Sequence, residues 1–277
     1  MIELPESNTL AKQINENLVG KTITSAIAAQ SPHKFAWYHG DPTNYPVRLT
    51  GRKILSAQAY GMFVEISLTQ STLLFSDGVN LRWHRDASSL PQKHQLLLGF
   101  NDGSYLSASV AMYGGIQCWE KSESFENAYY AIACSKPSPL TDQFDEPYYQ
   151  DVLAPSEVQK LPLKAALATE QRIPGLGNGC LQDILWKAKL HPKRKVNTLS
   201  SIELHTLFRV LKTILIEMTR SGGRSTEKDL FGTPGGYQVV MCSDNNGKPC
   251  PVCNSLIIKE SYMGGSIYTC SQCQPTR

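Results

Sequence analysis

The sequence has little of what membrane-embedded or secreted proteins carry. No apolar run reaches the roughly 18 residues that a membrane-spanning helix needs. The first residues contain no basic stretch followed by an apolar core, which is the pattern of a secretory leader. No internal repeat or low-complexity tract occurs. These absences predict a cytoplasmic protein, nucleoid-associated if the source is bacterial, with no membrane partner, and we expect a monomer.

Charged residues are not abundant, at 18% of the chain against 41% apolar residues. This balance is typical of a globular protein with enough apolar material for sizeable cores. A length of 277 residues fits one large domain or two domains of ordinary size.

Acidic residues are scarce in one part of the chain. Between positions 187 and 228, three acids oppose ten basic residues, whereas the net charge of the whole chain is only +3. One interpretation is a solvated basic face. The other is a surface for a polyanion, because lysine and arginine displace counterions from phosphates. The basic residues are Lys187, Lys189, Lys193, Arg194, Lys195, Arg209, Lys212, Arg220, Arg224 and Lys228.

The first half of the chain predicts one helix followed by strands. Residues 4–20 place Leu10, Ile14 and Leu18 on one helix face, and Gly20 is positioned to end the helix. Short alternating apolar runs follow, separated by turn residues, which favours a sandwich or a barrel. The predicted strands cover residues 63–68, 72–76, 94–100 and 105–110.

The second half of the chain predicts helices. A segment rich in proline and acids, around 135–156, is interpreted as a domain linker. A long amphipathic helix follows, with Ser200 or Ser201 as its cap and glycines at its end. The glycine-rich stretch 222–237 is predicted to be a mobile loop.

Four of the eight cysteines have the spacing of a metal site. Cys250 and Cys253 are followed, after sixteen residues, by Cys270 and Cys273, with a predicted β-hairpin between them. Four thiolates leave no open position for water, so the predicted cofactor is one structural zinc ion rather than a catalytic one. Two disulfides are the alternative, which the absence of a secretory leader disfavours.

A glycine turn, PGLGNG at 174–179, lies between two helical patterns. It is either a simple helix-joining turn or a loop whose backbone amides approach a phosphate, since glycine leaves room for close contact. The basic residues downstream favour the second interpretation. The residues predicted to contact phosphates are Gly175, Gly177, Asn178, Lys193, Arg194, Lys195 and, in the cysteine hairpin, Lys259.

The chain begins MIELPE, with an acid two places from the first residue. An α-amine beside the Glu3 carboxylate would form a compact pair of nucleophile and acid. The α-amine suits this task because its pKa of about 8 leaves part of it deprotonated near neutral pH. The alternative is that Glu3 only stabilises the start of the following helix through the helix dipole.

In combination, these motifs resemble the Fpg/Nei family, the formamidopyrimidine-DNA glycosylases and endonuclease VIII enzymes of base-excision repair. The matching pieces are IELPE, QRIPGLGN and GKPCPVC with CSQCQ, and they extend over essentially the whole chain. The resemblance implies an α+β fold with DNA in a cleft between two lobes. The implied divisions are an N-terminal β-sandwich with a leading helix (1–135), a linker (136–154), a helix–two-turn–helix DNA-binding domain (155–223), and a mobile loop plus a zinc-finger β-hairpin (224–277).

The resemblance also implies catalytic roles. In this family a freed N-terminal proline amine attacks C1′ of the damaged nucleotide, and a glutamate shuttles protons. Glu3 matches that glutamate. Ile2 stands at the proline position, so its amine becomes a nucleophile only if Met1 is removed. The implied partner is damaged, abasic or single-stranded DNA, and the stretch 222–237 resembles the family's lesion-capping loop.

Several family positions carry other residues here. Met62 replaces a lysine, AMYG at 111–114 replaces RRFG, and SDGVN at 76–80 lacks a methionine wedge. Gly265 or Ser266 stands where the hairpin arginine would grip phosphates. Since flipping a base out of a duplex costs a few kcal/mol, the loss of inserted side chains predicts weaker lesion extrusion from duplex than from unpaired DNA.

These differences leave three hypotheses open. The first is an atypical damaged-base DNA glycosylase and abasic-site lyase that acts on flipped or unpaired lesions. The second is a catalytically inactive damaged-DNA-binding protein on the same scaffold. The third is a scaffold reused without DNA, in which the basic stretch is only a solvated surface.

Overall fold

The structure, a computed structural model, describes residues 1–276. Within this range no helix combines the length and apolar character needed to cross a membrane. The helices are α1 (Leu4–Asn17), α2 (Tyr45–Leu49), α3 (Ala128–Ser135), α4 (Glu146–Leu153), α5 (Ser156–Gln159), α6 (Leu163–Ala168), α7 (Asn178–Lys187) and α8 (Ser201–Arg220). The strands are β1 (Ile23–Ala28), β2 (Ala36–Trp37), β3 (Ile54–Tyr60), β4 (Phe63–Leu68), β5 (Ser71–His84), β6 (Leu96–Phe100), β7 (Tyr105–Glu120), β8 (Ile257–Tyr262) and β9 (Gly265–Cys270).

Helix α1 packs its apolar face against β3 and β4, with Leu10 and Ile14 buried. It ends three residues before the predicted limit of the 4–20 helix. Gly20 has a φ of +90°, a left-handed conformation that favours glycine, and it turns the chain toward β1.

Strands β1 to β7 form one hydrogen-bonded sheet in the order β1-β6-β7-β5-β4-β3, with β2 paired in parallel to β7. The four predicted strands are confirmed as parts of β4, β5, β6 and β7, although β6 begins two residues after the predicted start of the 94–100 strand. Sequence reasoning missed the second part of β7, residues 111–120, because two adjacent glycines interrupt its apolar alternation. Pairing with β5 supplies its backbone hydrogen bonds.

A bulge divides this sheet into two arms. The pairing of β5 with β7 shifts register between Asp77 and Val79. Strands β3 and β4 extend the sheet on one side of the bulge, and β6 and β1 extend it on the other. Buried residues of both arms, such as Ile66 and Leu98, belong to one core. The predicted β-sandwich is thus a single continuous sheet whose two arms share a core.

The helical half has a separate core built from α4 to α8. Residues 136–154, predicted as a linker, include α4, and Phe144, Tyr149 and Leu153 are buried in this core. The proline of α4 lies in its first turn, where proline is tolerated, so its presence did not exclude a helix. The segment is therefore part of the helical half and not a free connection. The other predicted domain limits stay predictions.

The glycine-rich stretch 222–237, predicted to be mobile, is anchored to both halves. The carbonyl of the buried Leu230 accepts a hydrogen bond from the backbone N–H of Trp83 at 2.8 Å. Tyr237 is buried in the helical core and donates its hydroxyl to Asp183 at 3.1 Å. These contacts fix the stretch across the junction of the two halves.

Helix α8 begins at a capping box. Ser200 Oγ accepts a hydrogen bond from Glu203 N at 3.3 Å, and Glu203 Oε2 accepts one from Ser200 N at 2.8 Å, which confirms Ser200 as the cap. Arg194 donates to both carboxylate oxygens of Glu203. Hydrogen bonds from the Arg194 side chain and the Ser200 backbone lower the pKa of Glu203 to about 2.

We expect Glu203→Gln to lower the free energy of unfolding by about 1 kcal/mol at pH 7, because a partly exposed pair is screened by solvent. A lowered pKa stabilises the fold above the unfolded value of 4.5, and this contribution disappears as the pH falls through the folded value of about 2. Urea unfolding should therefore show that the difference in unfolding free energy between the parent chain and Glu203→Gln shrinks as the pH falls from 4.5 to about 2.

Glu126→Gln is the matched control for this prediction. It changes an exposed acid that has no ion-pair partner within residues 1–276. The control should unfold like the parent chain at every pH. A Glu203→Gln difference that persists undiminished at the acid end would contradict the assignment.

Candidate functional site

Glu3 lies where the sheet half meets the helical half. It is the N-cap of α1 and is only 2% exposed. Its carboxylate accepts hydrogen bonds from the backbone N–H groups of Gly177 (3.1 Å), Gly179 (2.8 Å) and Cys180 (2.8 Å) at the start of α7. Unpaired amides and the helix dipole make a helix N-terminus favourable for an anion. The Glu3 carboxylate therefore fills the anion site of α7.

This geometry corrects the prediction for the glycine turn. The amides expected to approach a phosphate bind the Glu3 carboxylate instead. Gly175 has a φ of +78°, and a Cβ at this position would lie 2.6 Å from the backbone carbonyl carbon of Gly61. A Cβ on Gly177 would lie 2.5 Å from the carboxyl carbon of Glu3. Glycine is thus required by close packing within the chain, and DNA contacts of Gly175 and Gly177 stay predictions.

Arg224, in the glycine-rich stretch 222–237 (the anchored loop), covers the Glu3 carboxylate. Its side chain is 3% exposed and donates to Glu6 through Nε (3.0 Å) and Nη2 (2.8 Å), and to Glu3 through Nη1 (3.2 Å). Burial raises the pKa of Glu6, but the charge and hydrogen bonds of Arg224 outweigh it and leave this pKa below its usual value. One buried cation therefore compensates two buried carboxylates.

The α-amine of Met1 is not paired with Glu3. It donates to the carboxylate of Glu227 in the anchored loop. The Ile2 side chain is buried in the sheet core, and its backbone N–H donates to the carbonyl of Asp77 at 2.6 Å. With Met1 in place, Glu227 holds the α-amine and Ile2 packs as a core residue. The predicted pair of Glu3 and the Ile2 amine requires removal of Met1 and stays a prediction.

Sequence reasoning missed Glu6, Arg224 and Glu227. The sequence did offer one indication: acids that are buried in a protein interior need a buried cation as a partner. Glu3 and Glu6 both lie in a segment with apolar neighbours. No spacing rule connects them to Arg224, since 218 residues separate Glu6 from Arg224.

The basic residues predicted to bind DNA differ in how free they are. Lys193 pairs with Glu260, and Arg194 is held by Glu203 with its side chain only 12% exposed. Lys195 is exposed. Lys259 is exposed on β8. Arg194 is therefore a structural residue here, whereas Lys195 and Lys259 present their side chains to solvent.

Asn178 attaches the cysteine hairpin to helix α7. Its Nδ2 donates to the carbonyl of Ser266 at 3.0 Å, and Gln182 Nε2 donates to the same carbonyl at 2.9 Å. Gln182 Oε1 accepts from the backbone N–H of Tyr268 at 3.1 Å. The amide that was predicted to contact a phosphate thus positions the hairpin.

The four predicted metal ligands lie together. The Sγ atom of Cys253 is 3.2 Å from the Sγ atom of Cys270 and 3.5 Å from the Sγ atom of Cys273. The Sγ atoms of Cys273 and Cys250 are 3.9 Å apart. A tetrahedral zinc site with Zn–S bonds of about 2.3 Å separates its sulfurs by about 3.8 Å. All four cysteines are free thiols, so the disulfide alternative is not supported and the donor set fits zinc.

Three positions that the resemblance singled out have different surroundings in this structure. Met62 packs beside Phe63 and Trp119 in a small apolar cluster. Met112, in the AMYG segment, is 66% exposed. Gly265 is exposed at the turn of the hairpin.

Two family models match the chain. Residues 1–124 match the model described as the formamidopyrimidine-DNA glycosylase N-terminal domain, and residues 136–229 match the formamidopyrimidine-DNA glycosylase H2TH domain. Similar proteins include the formamidopyrimidine-DNA glycosylases of Shigella dysenteriae serotype 1 and Escherichia coli O6:H1. Each is 28% identical over 281 residues, covering 99% of this chain and 100% of the relative.

Solved structures with the same fold include the MutM (Fpg) protein of Thermus thermophilus, with a TM-score of 0.80, 22% identity and 98% coverage of both chains. A complex of Lactococcus lactis Fpg with abasic-site DNA gives a TM-score of 0.82 and 23% identity, covering 99% of this chain and 100% of that chain. These likenesses confirm the predicted α+β fold with a helical H2TH region and a terminal four-cysteine hairpin.

Proposed function

Because the chain belongs to the formamidopyrimidine-DNA glycosylase family, we propose that it binds DNA at damaged or abasic sites in base-excision repair without using Glu3 as a catalytic group. Family membership supports DNA binding in base-excision repair. The Lactococcus lactis protein, which has this fold, was solved with abasic-site DNA. We place the DNA in the cleft between the sheet half and the helical half.

The occupied carboxylate of Glu3 is the observation that carries this proposal. A proton shuttle must reach the reacting atoms with a free lone pair and within hydrogen-bond distance. The Glu3 carboxylate has three backbone donors and Arg224 around it, and the residue is only 2% exposed. By resemblance, Ile2 and Met62 stand where the family chemistry uses a proline amine and a lysine.

We also propose that the four-cysteine cluster holds one structural zinc ion. Four thiolates complete a tetrahedral shell, so the ion would stabilise the hairpin and offer no open position for substrate. The hairpin packs against α7 through a small cluster that includes Trp186, Met241 and Tyr268. The ion would thus hold Lys259 at the DNA-facing side of the helical half.

DNA affinity should fall steeply with salt, because each phosphate contact releases a counterion. We expect Lys195→Ala and Lys259→Ala each to reduce the slope of log K against log salt by about one, with similar effects on different DNA sequences. Lys12→Ala, which removes a lysine with a 75% exposed side chain on α1, is the control and should leave the slope unchanged. Fluorescence anisotropy of a labelled abasic duplex measures these slopes. A flat salt dependence would favour the scaffold without DNA.

The contact between Met1 and Glu227 favours a second candidate function. The α-amine and the carboxylate are partly exposed, with side chains 36% and 24% accessible. A deprotonated α-amine can add to the aldehyde of an abasic site; the Glu227 carboxylate accepts the proton from the amine and returns it to the departing hydroxyl, so that water leaves and a Schiff base forms. Loss of a C2′ proton from this Schiff base expels the 3′ phosphate, so this candidate is an abasic-site lyase whose proton-transfer group is Glu227 instead of Glu3.

Borohydride trapping separates the two candidates. The lyase requires a trapped adduct that Glu227→Gln lowers by about 100-fold or more, the usual contribution of a general acid or base. Asp229→Asn is the control, because this carboxylate lies in the same loop and instead accepts from Gln13 at 2.8 Å. The non-catalytic account requires no adduct with any of these chains.

A further inference from the structure

The chain contains two asparagine–glycine pairs, Asn178–Gly179 and Asn246–Gly247. In such a pair the backbone nitrogen of the glycine can attack the carboxamide carbon of the asparagine, because glycine has no Cβ to hinder the approach. The first pair begins helix α7, and the second lies in the turn that leads into the cysteine hairpin. Neither the proposed DNA contacts nor the four-cysteine cluster uses the second pair.

The Asn246–Gly247 pair lies on the surface, and its leaving group is free. Both residues are exposed. Nδ2 of Asn246, which would depart as ammonia, has no hydrogen-bond partner within residues 1–276. Gly247 has a φ of +79°, and no described atom beyond its chain neighbours lies within 4 Å of an ideal Cβ at this position. Water and a base can therefore reach both reacting groups.

Contacts with β8 nevertheless hold this pair in an unreactive geometry. The backbone N–H of Gly247 donates to the carbonyl of Ile257 at 2.8 Å. Asn246 Oδ1 accepts from the backbone N–H of Lys259 at 2.9 Å. The ψ of Asn246, +128°, turns Gly247 N away from the carboxamide, whereas ring closure requires both groups on the same side of the Cα–C bond. Attack therefore requires the turn to open from β8.

Opening of this turn is a local event within the hairpin. A third hydrogen bond joins the turn to β8, from Ile257 N to the carbonyl of Lys248 at 2.9 Å. The hairpin has only a small core besides its cysteines. A segment with few buried apolar contacts opens at a lower free energy than the whole fold. Removal of the proposed zinc ion should lower this free energy further, because the binding energy of the ion also stabilises the hairpin.

The Asn178–Gly179 pair is protected more deeply. Gly179 N donates to Glu3 Oε1 at 2.8 Å, and Glu3 is 2% exposed at the junction of the two halves. Asn178 Nδ2 donates to the carbonyl of Ser266 at 3.0 Å. The first turn of α7 is released only when this buried junction opens. The chain thus holds one accessible and one inaccessible pair with the same chemistry.

We propose that Asn246–Gly247 is a deamidation site that the closed hairpin protects, so that opening of the hairpin leads to an irreversible covalent change. In the open turn, Gly247 N loses its proton to water or hydroxide and forms a bond to Asn246 Cγ. Nδ2 takes up a proton and leaves as ammonia, which gives a cyclic imide. Water then opens this ring at either carbonyl, adding a hydroxyl to the carbon and a hydrogen to the nitrogen, and produces aspartate or isoaspartate.

Both products oppose the binding of a polyanion by the hairpin. Each adds one negative charge to the side chain that contacts the backbone of Lys259. Isoaspartate also lengthens the backbone by one methylene group, which displaces Gly247 N from the carbonyl of Ile257. Weaker DNA binding by the modified chain rests on the proposed function, whereas the modification itself does not.

Peptide mass spectrometry of the full chain tests the inference. The untreated chain, the chain with a zinc chelator and the chain in concentrated urea are incubated in mildly alkaline buffer. Replacement of –NH2 by –OH raises the mass of the peptide concerned. We expect both pairs to react in urea. After chelation, Asn246 alone should react, at a rate roughly tenfold or more above that of the untreated chain, because the rate follows the population of the open turn.

Asn246→Gln is the control variant, because attack on the longer side chain would form a larger ring far more slowly. It should remove the mass change at position 246 and leave the reaction of Asn178 in urea unchanged. Asn246→Asp carries the charge of the product. It should weaken DNA binding at low salt and have less effect at high salt, where the added charge is screened.

Equal rates at Asn246 in the untreated and chelated chains would overturn the inference, because the hairpin would then not control the reaction. Reaction of Asn178 as fast as Asn246 after chelation would also contradict it, since the whole fold and not the hairpin would have opened. Unchanged DNA binding by Asn246→Asp would reject the effect of the modification on affinity. Absence of DNA binding by every chain would instead reject the proposed function and leave the deamidation site standing.

Discussion

Replacing Arg224 by methionine should lower the free energy of unfolding by about 3–5 kcal/mol, the usual cost of removing one partner from a buried ion pair. Arg224 is the only described cation that contacts both Glu3 and Glu6. Without it, two carboxylates that are 2% and 6% exposed would stay buried with uncompensated charge. Denaturant unfolding monitored by circular dichroism measures the loss.

Two further variants test whether the loss of stability comes from the buried charges. Arg209→Met changes an exposed arginine on α8 and should cost less than about 0.5 kcal/mol. Adding Glu3→Gln and Glu6→Gln to Arg224→Met should recover much of the lost stability, because the buried charges are then removed together. A loss below about 1 kcal/mol for Arg224→Met would show that the buried charges are not compensated in the way described.

The same contact connects stability to function. Arg224 neutralises Glu3 and fills the space beside it. Under the proposed function, the residue that stabilises the fold also keeps this carboxylate from serving as a proton shuttle. Natural proteins often relinquish stability to keep a charged group free at an active site. Here the charges are satisfied, which supports the proposed role in binding.

Removing zinc should abolish the structure of the hairpin and most of the DNA affinity. The binding free energy of a structural zinc ion, about 10–16 kcal/mol in small zinc domains, also serves as folding free energy. The hairpin core beyond the cysteines consists mainly of Trp186, Met241, Ile257 and Tyr268, which is too small to fold alone. Metal analysis should find one zinc ion per chain.

Hydrogen exchange after chelation checks this expectation. Amides of β8 and β9 should lose protection, while those of the central β5 and β7 ladder keep it. Cys270→Ser should reproduce the loss, and Cys134→Ser, an exposed cysteine on α3, should retain the zinc ion. Full protection of β8 and β9 in the metal-free chain would contradict a structural role for the ion.

The sequence predicted the features that depend on residues close to each other in the chain. The Ser200 cap, the β4 strand and the four-cysteine hairpin depend on residues that are close in sequence, and each was found as predicted. The continuation of β7 past residue 110 was missed because its stability comes from pairing with β5, which no short window contains.

The candidate site was predictable only in part, because its contacts are distant in sequence. The importance of Glu3 was evident from its position, but its partners lie near residues 177–180 and at Arg224. The glycine turn was predicted to approach a phosphate, whereas its amides bind the Glu3 carboxylate of the chain itself. Searching the sequence for an acid of the chain that could bind the N-terminus of α7 would have identified the contact with Glu3.

The most direct test of the account measures binding and covalent trapping on the same sample. The chain, with its N-terminus established by intact mass, is equilibrated with abasic-site DNA, both duplex and single-stranded. One portion is used for affinity at several salt concentrations, and the other is treated with borohydride. The account predicts saturable, salt-sensitive binding and no covalent adduct. An adduct, located at Met1 or Ile2 by peptide mapping, would contradict it.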